Sequence, residues 1–425
     1  MILLSILQRV GVLLTLCLPF NSFGQLSTMP SYDDILSRKT TAFQKVYYLQ
    51  KFAEEYKKLV PESMFYQDLS AAYSNFGEVQ KAKYFDLQST GVKYKQRLIQ
   101  HLAHLDPVQK PVDAKAEIIR QASARNLVII NEAHHLPQTR KLTIELLETM
   151  RSMGFEYLAL EALKTDSLVN PADTNNLTYP EPVFGILLRT AVKLGYKLVS
   201  YEAKFTSENR DLDQAKTIWS KTFAKDPAAK VLVHCGYSHL SENMNSNIRW
   251  MASYMKELYS LDPLTIDQTF DAFTGIPEYR SFITKQQGSG ESEAFMLVDS
   301  NGRFTNIVSP FDSSITHDLQ VYFPIEFQNE QRDRWRKLGP EYKQVTIHYP
   351  AQQFSDNTYC AIYDAREEKN SIALDQFISP GDKTVHQSYL PPGDYRLEIR
   401  NLSNAVVKEV AFKVGKSNKI PKVQL

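Results

Sequence analysis

Four short apolar runs in this chain end in side chains that can exchange protons or bind metal ions. Runs of β-branched residues without polar alternation predict strands that are covered on both faces. Ligands of open α/β sheets bind outside the carboxyl ends of the strands, so these ends predict one shared site. The run ends are, in chain order, Glu132-Ala-His-His135, Glu161, Glu202 and His234-Cys-Gly-Tyr-Ser-His239.

Three chemical uses fit the first of these ends. Glu132 and His134 share one side of an extended chain, where a carboxylate can orient an imidazole that takes a proton from water. Histidines and a glutamate can instead bind zinc or a similar ion, although no helical His-Glu-x-x-His is present. Haem ligation by histidine, Tyr201 or Tyr237 is the third use. A structural interpretation stands beside them, because such side chains also cap helices and bond loop amides.

Arg210 adds to this set because it begins a predicted helix between the Glu202 run and the His234 run. A guanidinium at that place can clamp a carboxylate or stabilise an oxyanion. The alternative is that Arg210 and Asp211 merely pair at the helix N-terminus.

The segments between the four runs have apolar residues at helical spacing and are long enough for crossover helices, as in residues 139–153 and 183–194. Alternating strands and helices predict an α/β fold with a mostly parallel sheet flanked by helices. We place this domain at residues 108–340, after a linker that includes residues 106–111. Turn-formers in residues 288–324 predict loops and an edge hairpin at its end.

The flanking regions have different patterns. Residues 25–107 show helical periodicity, and residues 66–85 resemble one tetratricopeptide-type helix pair, which favours either a plain helical cap or a peptide-binding repeat. In residues 341–425, strand-like runs are separated by Ser379-Pro-Gly-Asp and Pro391-Pro-Gly-Asp turns. This spacing predicts a small C-terminal antiparallel β-sandwich.

Charge and the chain ends limit the functional classes. The formal net charge of +1 gives no basic surface for nucleic acid. Residues 1–24 have the pattern of a secretory signal peptide, which predicts a secreted or periplasmic protein with no transmembrane segment in the mature chain. Leu16 before Cys17 is too bulky for the usual lipoprotein signal. Cys235 and Cys360 lie in different predicted domains, so we expect no disulfide framework.

The motifs together resemble those of the erythromycin esterase-like family. That family belongs to a wider superfamily with the Tiki-type metal-dependent proteases and the bacterial haem-binding uptake proteins. The similarity covers roughly residues 125–270. It rests on Asn131-Glu-Ala-His-His135, Leu158-Ala-Leu-Glu161, Asn209-Arg-Asp-Leu-Asp-Gln-Ala-Lys216 and Val233-His-Cys-Gly-Tyr-Ser-His239.

In the esterase branch the resemblance implies a catalytic set of Glu132, His135 as general base, Glu161, Arg210 and His239. The metal branch would use His134, His135 and His239, and the haem branch would add Tyr237. Asn131 and His134 replace the usual glycine and threonine, and the last motif is nearer to the haem and protease branches.

We therefore predict a hydrolase that activates water against an ester-like or amide-like bond in a small molecule or peptide. The alternatives are a haem- or metal-binding protein without turnover, and a surface interaction protein on a degenerate enzyme scaffold.

Overall fold

The computed structural model describes residues 29–37, 39–105, 109–204, 206–245, 247–287, 293–325, 334–348, 358–378, 385–416 and 421–424. The predicted signal peptide, with Cys17, lies outside these residues. No helix among the described residues is long and apolar enough to cross a membrane. Cys235 and Cys360 are both buried.

The N-terminal region is helical, as its periodicity predicts. Its helices are α1 (Tyr32–Leu36), α2 (Ala42–Lys51), α3 (Ala53–Leu59), α4 (Glu62–Ser74), α5 (Val79–Ser89) and α6 (Val92–Ala103). A capping box at Thr41 begins α2, where its hydroxyl accepts from Gln44 N–H. Between α4 and α5, Gly77 has a φ of +61°, which glycine adopts at little cost. These two helices contain residues 66–85 and are joined where Ser70 donates to the Ala82 carbonyl.

Six parallel strands form the central sheet, in the spatial order β4-β3-β5-β2-β6-β8. On β2, Val128 and Ile130 pack into one apolar cluster, while Leu127 and Ile129 pack into another. Both faces are therefore covered, which explains the absence of polar alternation in this run. The strands of this part of the chain are β1 (Lys110–Asp113), β2 (Leu127–Glu132), β3 (Phe155–Leu160), β4 (Lys197–Ser200), β5 (Lys230–Gly236), β6 (Leu264–Asp267), β7 (Phe295–Val298) and β8 (Leu319–Gln320).

Helices cover the two faces of this sheet and confirm the predicted α/β class. The covering helices are α7 (Ala114–Ala122), α8 (Gln138–Ser152), α9 (Pro182–Lys193), α10 (Arg210–Lys221) and α11 (Met251–Tyr259), and α12 (Pro277–Gln287) packs in a separate apolar cluster. Apolar residues of α7, α8 and α9 join the cluster on one face, and those of α10 and α11 join the cluster on the other. The predicted helices at 139–153 and 183–194 correspond to α8 and α9.

Two segments of this domain differ from the sequence prediction. Residues 110–113 do not continue the linker, because they form β1, which pairs antiparallel with β7. The 288–324 segment supplies β8 at the edge of the parallel sheet, in addition to β7. Strands of two to four residues are too short to produce a periodic signal, so their sequence resembles that of loops.

The C-terminal region consists of two small sheets around a shared apolar cluster. One sheet, in the order β11-β10-β13-β14, is antiparallel throughout. The other, β12-β9-β15, contains a parallel pair, because β15 runs alongside β9. This pair departs from the predicted all-antiparallel sandwich. The strands are β9 (Lys343–His348), β10 (Thr358–Asp364), β11 (Asp375–Ile378), β12 (Val385–Leu390), β13 (Gly393–Asn401), β14 (Val406–Val414) and β15 (Lys422–Gln424).

Candidate functional site

The carboxyl ends of β2, β3 and β5 lie side by side in the middle of the sheet. The register pairs Glu132 with Gly236 across β2 and β5, and Leu160 with His234 across β3 and β5. Glu161 follows β3 directly, and its backbone N–H donates to the His234 carbonyl at 3.3 Å. The predicted convergence of the strand ends is therefore present in the fold.

Glu132 is the centre of a buried polar network. Its Oε1 accepts from Arg140 Nη2 at 2.7 Å, and its Oε2 lies 2.8 Å from His234 Nε2. Arg140, in the first turn of α8, also donates to Glu181 at 3.1 Å. Although burial would raise the pKa of Glu132, the guanidinium and the adjacent imidazoles hold it well below its usual range. Glu132 is therefore a fixed anion on which neighbouring groups can be oriented.

His134 connects this network to solvent. Its Nδ1 lies 2.8 Å from Glu132 Oε1, and its side chain is 47% exposed. Burial of the ring favours a lower pKa, but the hydrogen bond and charge of Glu132 raise it above 6.5. Gly236 makes room for the ring, because a Cβ atom there would overlap His134. The result is a half-exposed imidazole held by a buried carboxylate at Nδ1, with Nε2 beside Gly236.

A second cluster surrounds Glu161. Its Oε2 accepts from the Gly236 backbone N–H at 2.6 Å, and its Oε1 accepts from Arg210 Nη2 at 2.6 Å. Arg210 also donates through Nε to Glu202 at 2.8 Å. Burial favours a higher pKa for Glu161, but His239, His134 and Arg210 lower it.

His239 completes the Glu161 cluster. Its Nδ1 lies 2.6 Å from Asp211 Oδ1, and its Nε2 lies 2.9 Å from Arg210 Nη1. A guanidinium only donates hydrogen bonds, so Nε2 accepts and Nδ1 carries the proton given to Asp211. The alternative prediction, in which Arg210 and Asp211 only pair with each other, does not describe the fold. Both residues instead hold His239.

His135 points away from both carboxylates. Leu136 N–H donates to the Ala133 carbonyl at 2.7 Å, and this turn places His135 in a buried position against α5. Its Nδ1 lies 3.2 Å from the Tyr237 hydroxyl, and its Nε2 lies 3.5 Å from Asp86 in α5. Burial lowers the pKa of His135 to about 3.

The fold thus brings together Glu132, His134, Glu161, Arg210 and His239 at the ends of β2, β3 and β5. His135 and Tyr237 form a third group beside His134. Sequence reasoning did not identify Arg140, Glu181 or Asp86. Arg140 lies eight positions after Glu132, in the first turn of α8. The strand-then-helix pattern of this segment could have indicated that Arg140 lies close to Glu132. No local signal marks Asp86, which reaches the site through packing of α5.

The donor geometry does not fit a cation at the predicted metal set. In the part of the chain that the structure describes, no three His, Cys, Asp or Glu side chains form a metal-binding group. Arg210 places a guanidinium against His239 Nε2, the nitrogen that a metal would need. The Tyr237 hydroxyl, the predicted haem ligand, lies against His135.

Comparison with known protein families gives no match, and no curated protein matches the sequence. One solved structure with some similarity is the signal recognition particle receptor FtsY from Elizabethkingia anophelis in complex with GDP. It is 11% identical, with a TM-score of 0.21, over 57% of this chain and 77% of the FtsY chain. A similarity this low carries no argument about fold or function.

Proposed function

We propose that this protein is a hydrolase that acts on an ester-like or amide-like bond, with His134 as the general base. The observation that carries the proposal is the half-exposed His134 imidazole, whose Nδ1 is held 2.8 Å from the buried Glu132 carboxylate. The motif resemblance to the erythromycin esterase-like superfamily supports the same class. The signal-peptide pattern of residues 1–24 favours action outside the cytoplasm.

In this mechanism a water molecule gives a proton to His134 Nε2 while its oxygen attacks the acyl carbon. Glu132 remains ionised and stabilises the imidazolium, as expected of a carboxylate whose pKa lies well below its usual range. The tetrahedral intermediate then collapses, and His134 returns the proton to the leaving group. Arg210 is half exposed beside His239, where its positive charge can stabilise the developing oxyanion.

The role given to His135 by the family resemblance moves to His134 in this proposal. His135 is 4% exposed and has no contact with either carboxylate of the two clusters. A pKa of about 3 would also make it a weak base near neutral pH. The two residues are adjacent, so the turn at residues 133–136 decides which imidazole is exposed to solvent.

The test is hydrolysis of a panel of p-nitrophenyl esters and peptide nitroanilides by the purified chain. His134→Gln should lower kcat about 100-fold to 10,000-fold, the usual contribution of a general base. The wild-type rate should increase with pH through a pKa above 6.5, because His134 must be neutral to accept the proton. His104→Gln, at an exposed histidine, is the matched control. A wild-type rate equal to the uncatalysed rate, or full activity in His134→Gln, would refute the proposal.

A further inference from the structure

We propose that Asp86, from the helical region, positions the Tyr237 hydroxyl through His135, so that Tyr237 presents a hydrogen-bond acceptor to the substrate. This inference rests on the proposed hydrolase function and deepens it. It assigns a specificity role to a side chain outside the α/β domain. It also names a substrate class, acyl compounds with an N–H or O–H donor beside the scissile bond.

Three side chains form the relay. The Asp86 carboxylate lies 3.5 Å from His135 Nε2, and His135 Nδ1 lies 3.2 Å from the Tyr237 hydroxyl. His135 is neutral near pH 7, because burial lowers its pKa to about 3, so only one of its nitrogens carries a proton. An ionised Asp86 favours that proton on Nε2, which leaves Nδ1 as an acceptor for the tyrosine O–H. The phenolic oxygen then turns its lone pairs away from His135.

Tyr237 lies where a substrate of His134 would contact it. Its ring packs edge-to-face on the His134 ring, with centroids 5.1 Å apart, and the residue is partly exposed. Tyr237 has a φ of +38°, a conformation that is uncommon for a residue with a side chain. Backbone strain of this kind clusters at functional sites.

A buried ion pair fixes Asp86 in place. Lys83, one helical turn earlier on the same face of α5, bonds Asp271 at 2.8 Å and Thr274 at 3.1 Å. Asp271 also accepts from Gln138, at the start of α8, at 2.8 Å. The helix that carries Asp86 is therefore tied to the same helix that follows the Glu132 strand.

His135 and Asp86 are poor choices for simple packing. His135 Nε2 is buried, and its 3.5 Å contact with the Asp86 carboxylate is longer than a normal hydrogen bond, which is unfavourable for a buried polar atom. Burial also raises the pKa of Asp86 to about 7, so ionising this carboxylate near neutral pH is unfavourable. Apolar residues of similar size would avoid both penalties. In this proposal, Asp86 and His135 are polar because together they orient the Tyr237 hydroxyl.

The kinetic test compares two p-nitrophenyl esters at pH 8.5. N-acetylglycine p-nitrophenyl ester has an N–H donor beside the acyl carbon, and p-nitrophenyl pentanoate has none. The wild type should prefer the first by about tenfold in kcat/KM, a factor worth about 1.4 kcal/mol. Tyr237→Phe and Asp86→Asn should each remove most of this preference by lowering kcat/KM for the N-acetylglycine ester. Asp68→Asn, at a half-buried carboxylate of α4 that bonds Tyr32, should keep the preference.

The structural test needs no turnover. Histidine ring 15N spectra of the labelled chain at pH 8.5, assigned for His135 with His135→Gln, report which nitrogen carries the proton. We expect a protonated Nε2 and an unprotonated Nδ1 in the wild type, and a changed pattern in Asp86→Asn. A wild-type proton on Nδ1, or no change in Asp86→Asn, would overturn the relay. A correct tautomer without ester turnover would instead count against the proposed hydrolase, and a preference that Tyr237→Phe retains would overturn the specificity role.

Discussion

Replacing Asp86 by asparagine should stabilise the protein, and more so at alkaline pH. Burial raises the pKa of this carboxyl from 3.8 to about 7. A carboxyl whose folded-state pKa is raised contributes most to the stability of the native state below its unfolded-state pKa, where it is protonated. That contribution is lost as the pH rises through the folded-state pKa. The relevant window therefore runs from 3.8 to about 7. Above it, at about 1.4 kcal/mol for each unit of pKa, the ionised carboxylate costs the native state about 4 kcal/mol.

The assay is urea unfolding of the wild type and Asp86→Asn at pH 5 and pH 8.5. At pH 5 about one third of the penalty is already present, so the advantage of the variant should grow by about 2 to 3 kcal/mol between the two conditions. His135 adds no compensating charge, because it stays neutral over this range. Glu55→Gln, at an exposed carboxylate of α3, is the control and should show no comparable growth. An advantage that grows by less than about 1 kcal/mol would refute the reasoning.

Two further substitutions test the first network. Glu132→Gln removes the charge that faces Arg140 inside the protein, so urea unfolding should show a loss of about 3 to 5 kcal/mol; a loss below about 1 kcal/mol would contradict the buried pair. Gly236→Ala places a Cβ atom against the His134 ring and should lower kcat at least tenfold while the far-UV circular dichroism stays unchanged. Wild-type turnover in Gly236→Ala would contradict the placement of that ring.

The sheet and the strand ends could be predicted because their cause is local in sequence. A strand buried on both faces has an uninterrupted apolar run, as in residues 127–130, so the polar residues that follow mark its end. The period of two along a strand also predicts that Glu132 and His134 lie on the same side of the chain, and their side chains are in contact. Leu136-Pro137 indicates that the chain turns close to His135, but it does not give the direction of that turn. That direction decides which histidine faces Glu132.

The remaining contacts depend on packing between distant elements. Asp86 and His135 are 49 positions apart and meet because α5 docks on the segment that follows β6. The short strands β1, β7 and β8 owe their existence to neighbours that supply hydrogen-bond partners. Neither effect leaves a periodic signal in the residues involved. Propensity and spacing therefore locate the strand ends. The side chains that surround those ends from distant elements, such as Asp86, can be identified only from the tertiary structure.

The position of the helical region on the α/β domain also depends on contacts between distant elements. A buried ion pair such as Lys83 and Asp271 contributes little net stability, because desolvation of both charges offsets their attraction. Its effect here is to fix the rotation and height of α5 on the α/β domain, and that position is what brings Asp86 to His135. A free peptide-binding repeat would not need a buried charged anchor at this place. With the relay proposed above, α5 acts as one wall of the site, and the cost of ionising Asp86 is the stability given up for an oriented Tyr237.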